Sequence, residues 1–189
     1  YIAPWTEADF AHFRAWGFNV VRLGLIWAAV EPQPGVYDET YLDWISSMLD
    51  LCEKYGLHAF LDMHQDLYSV LYSDGAPEWA TLTDGLPHVA GDLWSDAYLE
   101  SEAVQRAFDH FWANTTAVDG LGLQDHYIRM WVHVASRFAS HPALLGYDFL
   151  NEPYPGTTGR VVFANLLGTF AELISSKHGP VMTLEEMLA

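Results

Sequence analysis

Three short runs of apolar residues stand out along the chain and predict β-strands. They cover residues 18–24, 57–64 and 144–150, and each contains β-branched, leucine or aromatic side chains. Apolar residues fall on both alternating faces of each run, which is the pattern of strands buried on both sides of a parallel sheet. The runs therefore predict a parallel sheet as the centre of the fold.

Apolar residues at helical spacing lie between these runs. Leu42, Ile45, Leu49 and Cys52 repeat every three to four positions within residues 41–55 and predict one helix. Comparable patterns predict further helices between Thr6 and Gly17 and over residues 102–113, 125–139 and 160–177. Strands that alternate with helices indicate an α/β fold with a parallel sheet.

Residues 65–100 show no regular periodicity and contain several glycines and prolines. Stretches of this length without regular structure inside a domain are usually functional or disordered. Disorder is disfavoured here because apolar and aromatic side chains recur, namely Trp79, Leu82, Leu86 and Trp94. We therefore interpret this stretch as an ordered functional insertion.

The charge balance excludes some partners. The chain has 8 lysine and arginine residues against 25 aspartate and glutamate residues, a formal net charge of −17. Binding of DNA, RNA or an anionic lipid surface requires a basic surface, so no nucleic-acid partner is expected. Cys52 is the only cysteine, so no disulfide can form within the chain, and its apolar neighbours predict a buried inert thiol. No apolar run is long enough for a membrane helix, so no transmembrane segment is expected, and the compartment is left open.

Polar residues follow each predicted strand at its carboxyl end. Arg22 lies near the end of the first strand, residues 64–66 (His-Gln-Asp) end the second, and residues 151–153 (Asn-Glu-Pro) follow the third. Because the carboxyl ends of parallel strands meet on one face, where ligands bind, these side chains are predicted to form one site.

The residue types at these strand ends suit hydrolysis of a glycosidic bond. Such hydrolysis requires a carboxylic acid that protonates the leaving oxygen, and Glu152 after an apolar strand fits that requirement. Asn151 is placed to hydrogen-bond the sugar 2-hydroxyl, a contact that strengthens in the transition state. Glu152 is therefore the candidate catalytic residue.

Several sequence blocks resemble glycoside hydrolase family 5, and their form is similar to its endoglycoceramidase branch. The Asn-Glu-Pro tripeptide at a strand end is the acid/base signature of that family. The other similar blocks, in the family's order, are NVVRL at 19–23, VEPQPGVYD at 30–38, LDMHQDLYS at 61–69, GAPEWA at 75–80, DGLP at 84–87 and AFDHFW at 107–112. The resemblance implies a (β/α)₈ TIM barrel, that is, eight parallel strands each followed by a helix.

The resemblance also implies roles for individual residues. Glu152 would be the acid/base, no metal or cofactor would take part, and the substrate would be bound by Arg22, His64, Asp66, Trp94 and Asn151. His64 and Asp66 would hold hydroxyls of the sugar next to the cleaved bond, and Trp94 would line that sugar pocket. Arg22 would support the region of the acid/base and the nucleophile.

Other roles stay open for some of these residues. Arg22 could pair with a structural carboxylate, and Trp94 could be part of the core. Glu31, in the Glu-Pro-Gln-Pro-Gly loop, is interpreted as structural. Asp62 and Asp148 lie within predicted strands and receive no role.

The chain departs from the family pattern after Glu152. The family's nucleophilic glutamate follows the seventh strand, whereas Glu185 and Glu186 read as the first turn of a helix. Residues 1–189 are therefore expected to be part of a barrel's catalytic domain, about strands 2–4 with their helices, without the first strand and the C-terminal half. We expect another segment or chain to supply the remaining half of the barrel.

Three functions remain at this point. The first is a retaining β-glycosidase that releases an oligosaccharide from the ceramide of a glycosphingolipid. The second is another family 5 β-glycosidase, acting on a sterol glucoside or a β-glucan. The third is a carbohydrate- or lipid-binding remnant without catalytic activity. The expected ligand is thus a glycolipid or another glycoside.

Overall fold

Three parallel strands form the sheet in the computed structural model, which describes residues 1–178. They are β1 (Val20–Ile26), β2 (His58–His64) and β3 (Leu144–Asp148), in the order β1-β2-β3. The predicted parallel α/β sheet is confirmed, although β1 begins two residues later than expected and β3 ends two residues earlier.

Helices connect and flank these strands. They are α1 (Glu7–Ala15), α2 (Trp27–Val30), α3 (Glu39–Lys54), α4 (Ala97–Glu100), α5 (Glu102–Trp112), α6 (Leu123–Phe138) and α7 (Gly159–His178). Single 3₁₀ turns span Glu78–Ala80, Trp94–Asp96 and Gly156–Thr158. Each helix predicted from apolar spacing is present within two residues of its expected bounds, whereas Glu185 and Glu186 lie outside the described residues.

Helix α3 is bounded by a capping aspartate before its first turn and by a glycine after its last turn. Asp38 precedes the helix, and its carboxylate accepts hydrogen bonds from the amides of Thr40 (2.9 Å) and Tyr41 (3.0 Å). These are N–H groups that the first turn of a helix leaves without an internal partner. At the other end Gly56 adopts a φ of 64°, which glycine allows without steric cost. The chain then turns directly into β2.

The core lies between the sheet and the apolar faces of α3 and α6. Leu42, Ile45, Leu49 and Cys52 of α3 are completely buried, as are two residues of α6, Met130 and Val134. Burial raises the pKa of the Cys52 thiol to about 11, so the thiol stays protonated at neutral pH. The predicted inert cysteine agrees with this environment.

The insertion between β2 and α4 is ordered by a buried tyrosine. The ring of Tyr68 packs edge-on against Phe108 and Phe111 of α5, and its hydroxyl donates to the carbonyl of Ala80 (3.0 Å). Short bridges between Asp66 and Asp74 and between Ser69 and Ala76 close the turn. Residues 65–100 thus fold onto α5, although they contain only single turns of helix and isolated bridges before α4.

Only β2 has a neighbouring strand on both sides within residues 1–178. Apolar side chains on the edge strands, among them Val20 of β1 and Leu145 of β3, are consequently exposed. Within residues 1–178, β1 and β3 are therefore not buried on both faces, which is the exposure expected of three strands taken from a larger barrel. Helix α7 likewise exposes apolar side chains such as Leu166 and Phe170. No helix within residues 1–178 combines the length and apolar character needed to cross a membrane.

A buried hydrogen bond between Glu31 and His126 joins the loop after β1 to α6. Glu31 is completely buried, and its carboxylate accepts from the indole of Trp27 (2.9 Å), from the amide of Gly35 (2.8 Å) and from His126 Nδ1 (2.9 Å). The second ring nitrogen of His126 lies 3.1 Å from Asp119. All of these polar groups are satisfied, so Glu31 has the structural role interpreted from its sequence context.

Replacement of Glu31 by alanine should lower the free energy of unfolding by about 3 kcal/mol or more, because the imidazole of His126 and the indole N–H of Trp27 would lose a buried partner. Glu39→Ala is a matched control, since Glu39 also bonds a histidine of α6, His133, but at the surface. It should cost about 1 kcal/mol or less. Urea denaturation of the full-length protein measures both values, and equal costs would contradict the role assigned to the buried pair.

Candidate active site

The carboxyl ends of the three strands bring the predicted polar residues together. Strand β2 aligns Asp62 with Gly24 of β1 on one side and with Asp148 of β3 on the other. Beyond the end of β3, the amide of Asn151 donates to the carbonyl of Met63 (3.0 Å), so the segment after β3 stays beside β2. This pairing positions residues 151 and 152 beside the end of β2.

Arg22 connects all three strands. Its Nη2 atom donates to Oδ1 of Asn151 (2.5 Å) and lies 2.8 Å from Oδ2 of Asp62. The Asp62 side chain is only 1% exposed, and a buried carboxylate of this kind requires a charged or hydrogen-bonding partner. Arg22 therefore both pairs with a structural carboxylate and holds the side-chain amide of Asn151.

His64 lies between two carboxylates. Its Nδ1 atom is 3.1 Å from Oδ2 of Asp62, within hydrogen-bonding distance, whereas its Nε2 atom is 3.6 Å from Oδ2 of Asp66. The first contact orients the imidazole ring, and the second is too long for a hydrogen bond. The Nε2 edge of His64 is thus available to a ligand beside Asp66.

Asp74 adds a carboxylate that the sequence did not single out. Its Oδ1 atom accepts from the amide of Asp66 (2.8 Å). Burial raises the pKa of the Asp74 carboxyl above its ordinary value, and the negative charges of Asp66 and Asp62 raise it further, against the opposing effect of His64. His64, Asp66 and Asp74 place ligand atoms within 4.8 Å of one another, close enough for a divalent cation. Hydrogen bonds within the protein already account for this arrangement.

Glu152 follows these residues and is exposed. Its backbone adopts a φ of 45°, in the left-handed region that a side chain other than glycine rarely enters. Among the side chains that the structure describes, none donates a hydrogen bond to its carboxylate or forms an ion pair with it. The carboxylate is therefore free to contact a ligand.

Trp94 lies at the rim of this region. It opens a 3₁₀ turn, its side chain is 57% exposed, and its ring centroid lies 6.4 Å from that of Tyr98. Tyr98 and Glu152 line one cleft of about 430 Å³, together with Ser95, Leu99, Pro153, Tyr154 and Phe163. Trp94 is therefore not a core residue, and it contacts the aromatic wall of this cleft.

Sequence reasoning missed four residues of this site: Asp62, Gln65, Asp74 and Tyr98. A signal existed for the first two, because Asp62 is a charged residue inside an apolar strand and Gln65 lies within the strand-end triplet. Asp74 and Tyr98 lie in the aperiodic insertion, where no local pattern indicates which side chains return to the sheet.

The fold and the site define a class of proteins. A parallel sheet with alternating helices carries an exposed carboxylate just beyond the end of one strand, and arginine, histidine and aspartate side chains lie on the neighbouring strands. Residues at the carboxyl ends of strands are where barrel enzymes of the α/β class bind and convert their substrates.

Comparison with known proteins identifies the family. Residues 2–179 match the family model of Cellulase (glycosyl hydrolase family 5). The chain belongs to glycoside hydrolase family 5, and β1–β3 with their helices are part of the (β/α)₈ barrel that this family implies.

Relatives within the family include enzymes named for ceramide glycosides. The chain is similar to an endoglycoceramidase of Cyanea nozakii, with 32% identity over 80% of this chain and 33% of the relative. It is also similar to a glucosylceramidase of Rhizopus delemar, with 29% identity over 79% of this chain and 26% of the relative. The chain thus spans about a third or less of the length of these curated relatives.

A solved endoglycoceramidase structure is also similar to this chain. The lactosyl-enzyme intermediate of endoglycoceramidase II from Rhodococcus sp. superposes with a TM-score of 0.75 and 36% identity, over 92% of this chain and 42% of that one. At this identity and coverage the likeness extends beyond the fold to the sequence of the compared residues.

Removal of the Asp74 charge should stabilise the protein at neutral pH. The raised pKa means that ionisation of Asp74 is less favourable in the folded state, so Asp74→Asn removes that cost above both pKa values, while its amide oxygen still accepts from Asp66. We expect a gain of about 1 kcal/mol or less, because the group is only half-buried. The gain should disappear as pH falls through the folded pKa and below the unfolded value of about 3.9.

Thermal unfolding between pH 3 and 7 measures the effect of Asp74→Asn. The control is Asp92→Asn, which removes an exposed carboxylate from the same insertion and should show no such pH-dependent gain. A constant difference across the pH range would mean that the substitution acts through something other than ionisation.

Proposed function

We propose that this chain forms part of a retaining β-glycosidase that cleaves the bond between the sugar and the ceramide of glycosphingolipids, with Glu152 as its acid/base. The observation that carries the proposal is the exposed Glu152 carboxylate at the end of β3, beside Asn151, Arg22 and His64, in a chain similar to endoglycoceramidases.

Glu152 has the surroundings that proton transfer to a leaving group requires. In a retaining enzyme the protonated acid first donates its proton to the glycosidic oxygen, and as a carboxylate it later accepts a proton from water. The freedom of the Glu152 carboxylate from donors within the described residues leaves both oxygens available for this exchange. A carboxylate tied into an ion pair, like that of Asp62, could not serve in this way.

Neighbouring groups suit the recognition of the sugar. We assign the Nε2 edge of His64 and the carboxylate of Asp66 to hydroxyls of the sugar at the cleaved bond, because both face the same side and do not bond each other. Asn151, whose amide oxygen is held by Arg22, would contact the 2-hydroxyl. The exposed ring of Trp94 offers a stacking surface for the C–H face of a sugar.

The lipid part of the substrate is inferred from the relatives. The Cyanea and Rhizopus proteins are named for ceramide glycosides. The Rhodococcus structure is described as a lactosyl-enzyme intermediate, and a glycosyl-enzyme is the intermediate that a retaining mechanism forms. A glycosidase that retains configuration also needs a nucleophilic carboxylate about 5 Å from the acid/base.

The nucleophile is inferred to come from a segment outside residues 1–189. The carboxylates on β2 and its loop already have other roles. Asp62 is paired with Arg22, Asp74 accepts from the backbone amide of Asp66, and Asp66 itself is assigned to a sugar hydroxyl. A (β/α)₈ barrel also needs five more strands than the three described here. The exposed apolar edges of β1 and β3 are where such strands would pair.

Glu152→Gln in the full-length enzyme tests the acid role. Turnover of a glycosphingolipid should fall by at least about a thousand-fold, because its alcohol leaving group needs a proton. Glycosylation by an activated aryl glycoside, which needs no proton, should fall far less. The control Glu53→Gln lies on α3, which precedes the opposite end of β2, and should leave both reactions unchanged. Equal losses on the two substrates would exclude the acid role.

A covalent trap locates the nucleophile. An activated 2-deoxy-2-fluoro-β-glycoside should label the full-length enzyme stoichiometrically, because fluorine slows hydrolysis of the glycosyl-enzyme. Peptide mapping should find the sugar on a glutamate outside residues 1–189. A labelled carboxylate within these residues would show that this part of the proposal is wrong.

A further inference from the structure

Backbone strain is concentrated around Glu152. Five residues other than glycine have a positive φ within residues 1–178, and three of them lie in the two loops of the site: Leu67 (57°), Tyr68 (73°) and Glu152 (45°). Such conformations persist only where surrounding contacts enforce them, and they cluster at functional sites. The contacts that enforce these three converge on two side chains.

The first of these side chains is Gln65, which is almost completely buried. Its Nε2 atom donates to the carbonyl of Asn151 (2.9 Å) and to the carbonyl of Glu152 (3.1 Å). Its Oε1 atom accepts from the amide of Tyr68 (2.7 Å), and its own carbonyl accepts from the side-chain amide of Asn151 (3.1 Å). Gln65 therefore binds both strained loops at once.

The geometry at Glu152 explains why one donor reaches two successive carbonyls. In extended backbone, successive peptide units face opposite sides, so their carbonyl oxygens diverge. The left-handed φ of Glu152 turns its carbonyl towards the side of the preceding one, and Nε2 of Gln65 bonds both. A Gln65 amide that bonds both oxygens thus favours the backbone conformation that fixes where the Glu152 side chain leaves the chain.

The second side chain is Tyr98, which comes from the insertion. Its hydroxyl accepts from the amide of Leu67 (3.0 Å) and from Nε2 of Gln65 (3.3 Å). Its ring lies 5.2 Å from that of Tyr154, two residues beyond Glu152. Burial raises the pKa of the Tyr98 hydroxyl, as do the charges of Asp66 and Glu152, so the hydroxyl stays protonated beside the site.

We propose that Gln65 and Tyr98 are positioning residues for the acid/base, and that the insertion of residues 65–100 serves catalysis by delivering Tyr98 to Gln65. This inference rests on the proposed function of Glu152. Neither residue contacts the reacting atoms. They act by holding the peptide of Glu152 in the strained conformation that aims its carboxylate, and a displacement of about 1 Å in such a group can cost about a hundred-fold in rate.

Two substitutions in the full-length enzyme test this role. Gln65→Met keeps the length of the side chain and removes both polar atoms, and Tyr98→Phe removes only the hydroxyl. The matched control is Gln124→Met, because Nε2 of Gln124 also donates to two successive carbonyls, those of Phe111 (2.7 Å) and Trp112 (2.9 Å). Melting temperatures of all variants report the structural cost separately.

The readout is kcat/KM on a glycosphingolipid compared with an activated aryl glycoside. Gln65→Met should lower kcat/KM on the glycosphingolipid at least ten-fold more than kcat/KM on the aryl glycoside, because a misplaced acid hinders only the reaction that needs its proton. Tyr98→Phe should show the same selective loss to a smaller degree. In Gln124→Met the ratio of these two kcat/KM values should stay at the wild-type value, whatever the melting temperature of that variant. If Gln65→Met does not fold, the ratio measured for Tyr98→Phe decides.

Losses of equal size on both substrates in Gln65→Met and Tyr98→Phe, or no loss in either, would overturn the positioning role. If Glu152→Gln shows selective loss in the same assays, the proposed function survives that outcome. If Glu152→Gln itself shows no selective loss, the acid role fails and the positioning role fails with it.

Discussion

The carboxylate of Asp62 is the charge on which the arrangement of the site depends. It is buried in the central strand, and one of its oxygens contacts both Arg22 and His64. A buried anion is stable only beside such partners, so its position fixes where both cationic or hydrogen-bonding side chains lie. Arg22 in turn holds Asn151, which precedes Glu152. One carboxylate in β2 thereby orders side chains from all three strand ends.

The insertion after β2 adds further side chains to the site at the strand ends. Its Tyr68 anchors it to α5 through aromatic packing, and its Asp74 and Tyr98 return to the strand ends. These contacts join the insertion to α5 and to the strand ends, which a simple strand–helix–strand unit would not do. The geometry of the site thus depends on a segment with little regular structure. Buried hydrogen bonds and packed aromatic rings hold this segment in place of a strand or helix ladder.

The sequence predicted regular elements better than the contacts between them. The period of Leu42, Ile45 and Leu49 predicted α3, because helical burial repeats locally along the chain. The proximity of Arg22, His64 and Asn151 was predicted because the carboxyl ends of parallel strands lie on one face of the sheet. For Trp94 only the family resemblance favoured the pocket over the core, and the return of Tyr98 to Gln65 was not predicted. Both follow from packing of an aperiodic segment that no local pattern encodes.

The bond between Glu31 and His126 has a consequence for the order in which the chain can fold during synthesis. The two residues are 95 positions apart. While the ribosome has delivered only β1, α3 and β2, Glu31 lacks the imidazole that it bonds when buried, so burial of its carboxylate at that stage would be costly. This contact therefore makes α6 a prerequisite for closing the loop, so that the nascent chain delays burial of Trp27 until α6 has emerged.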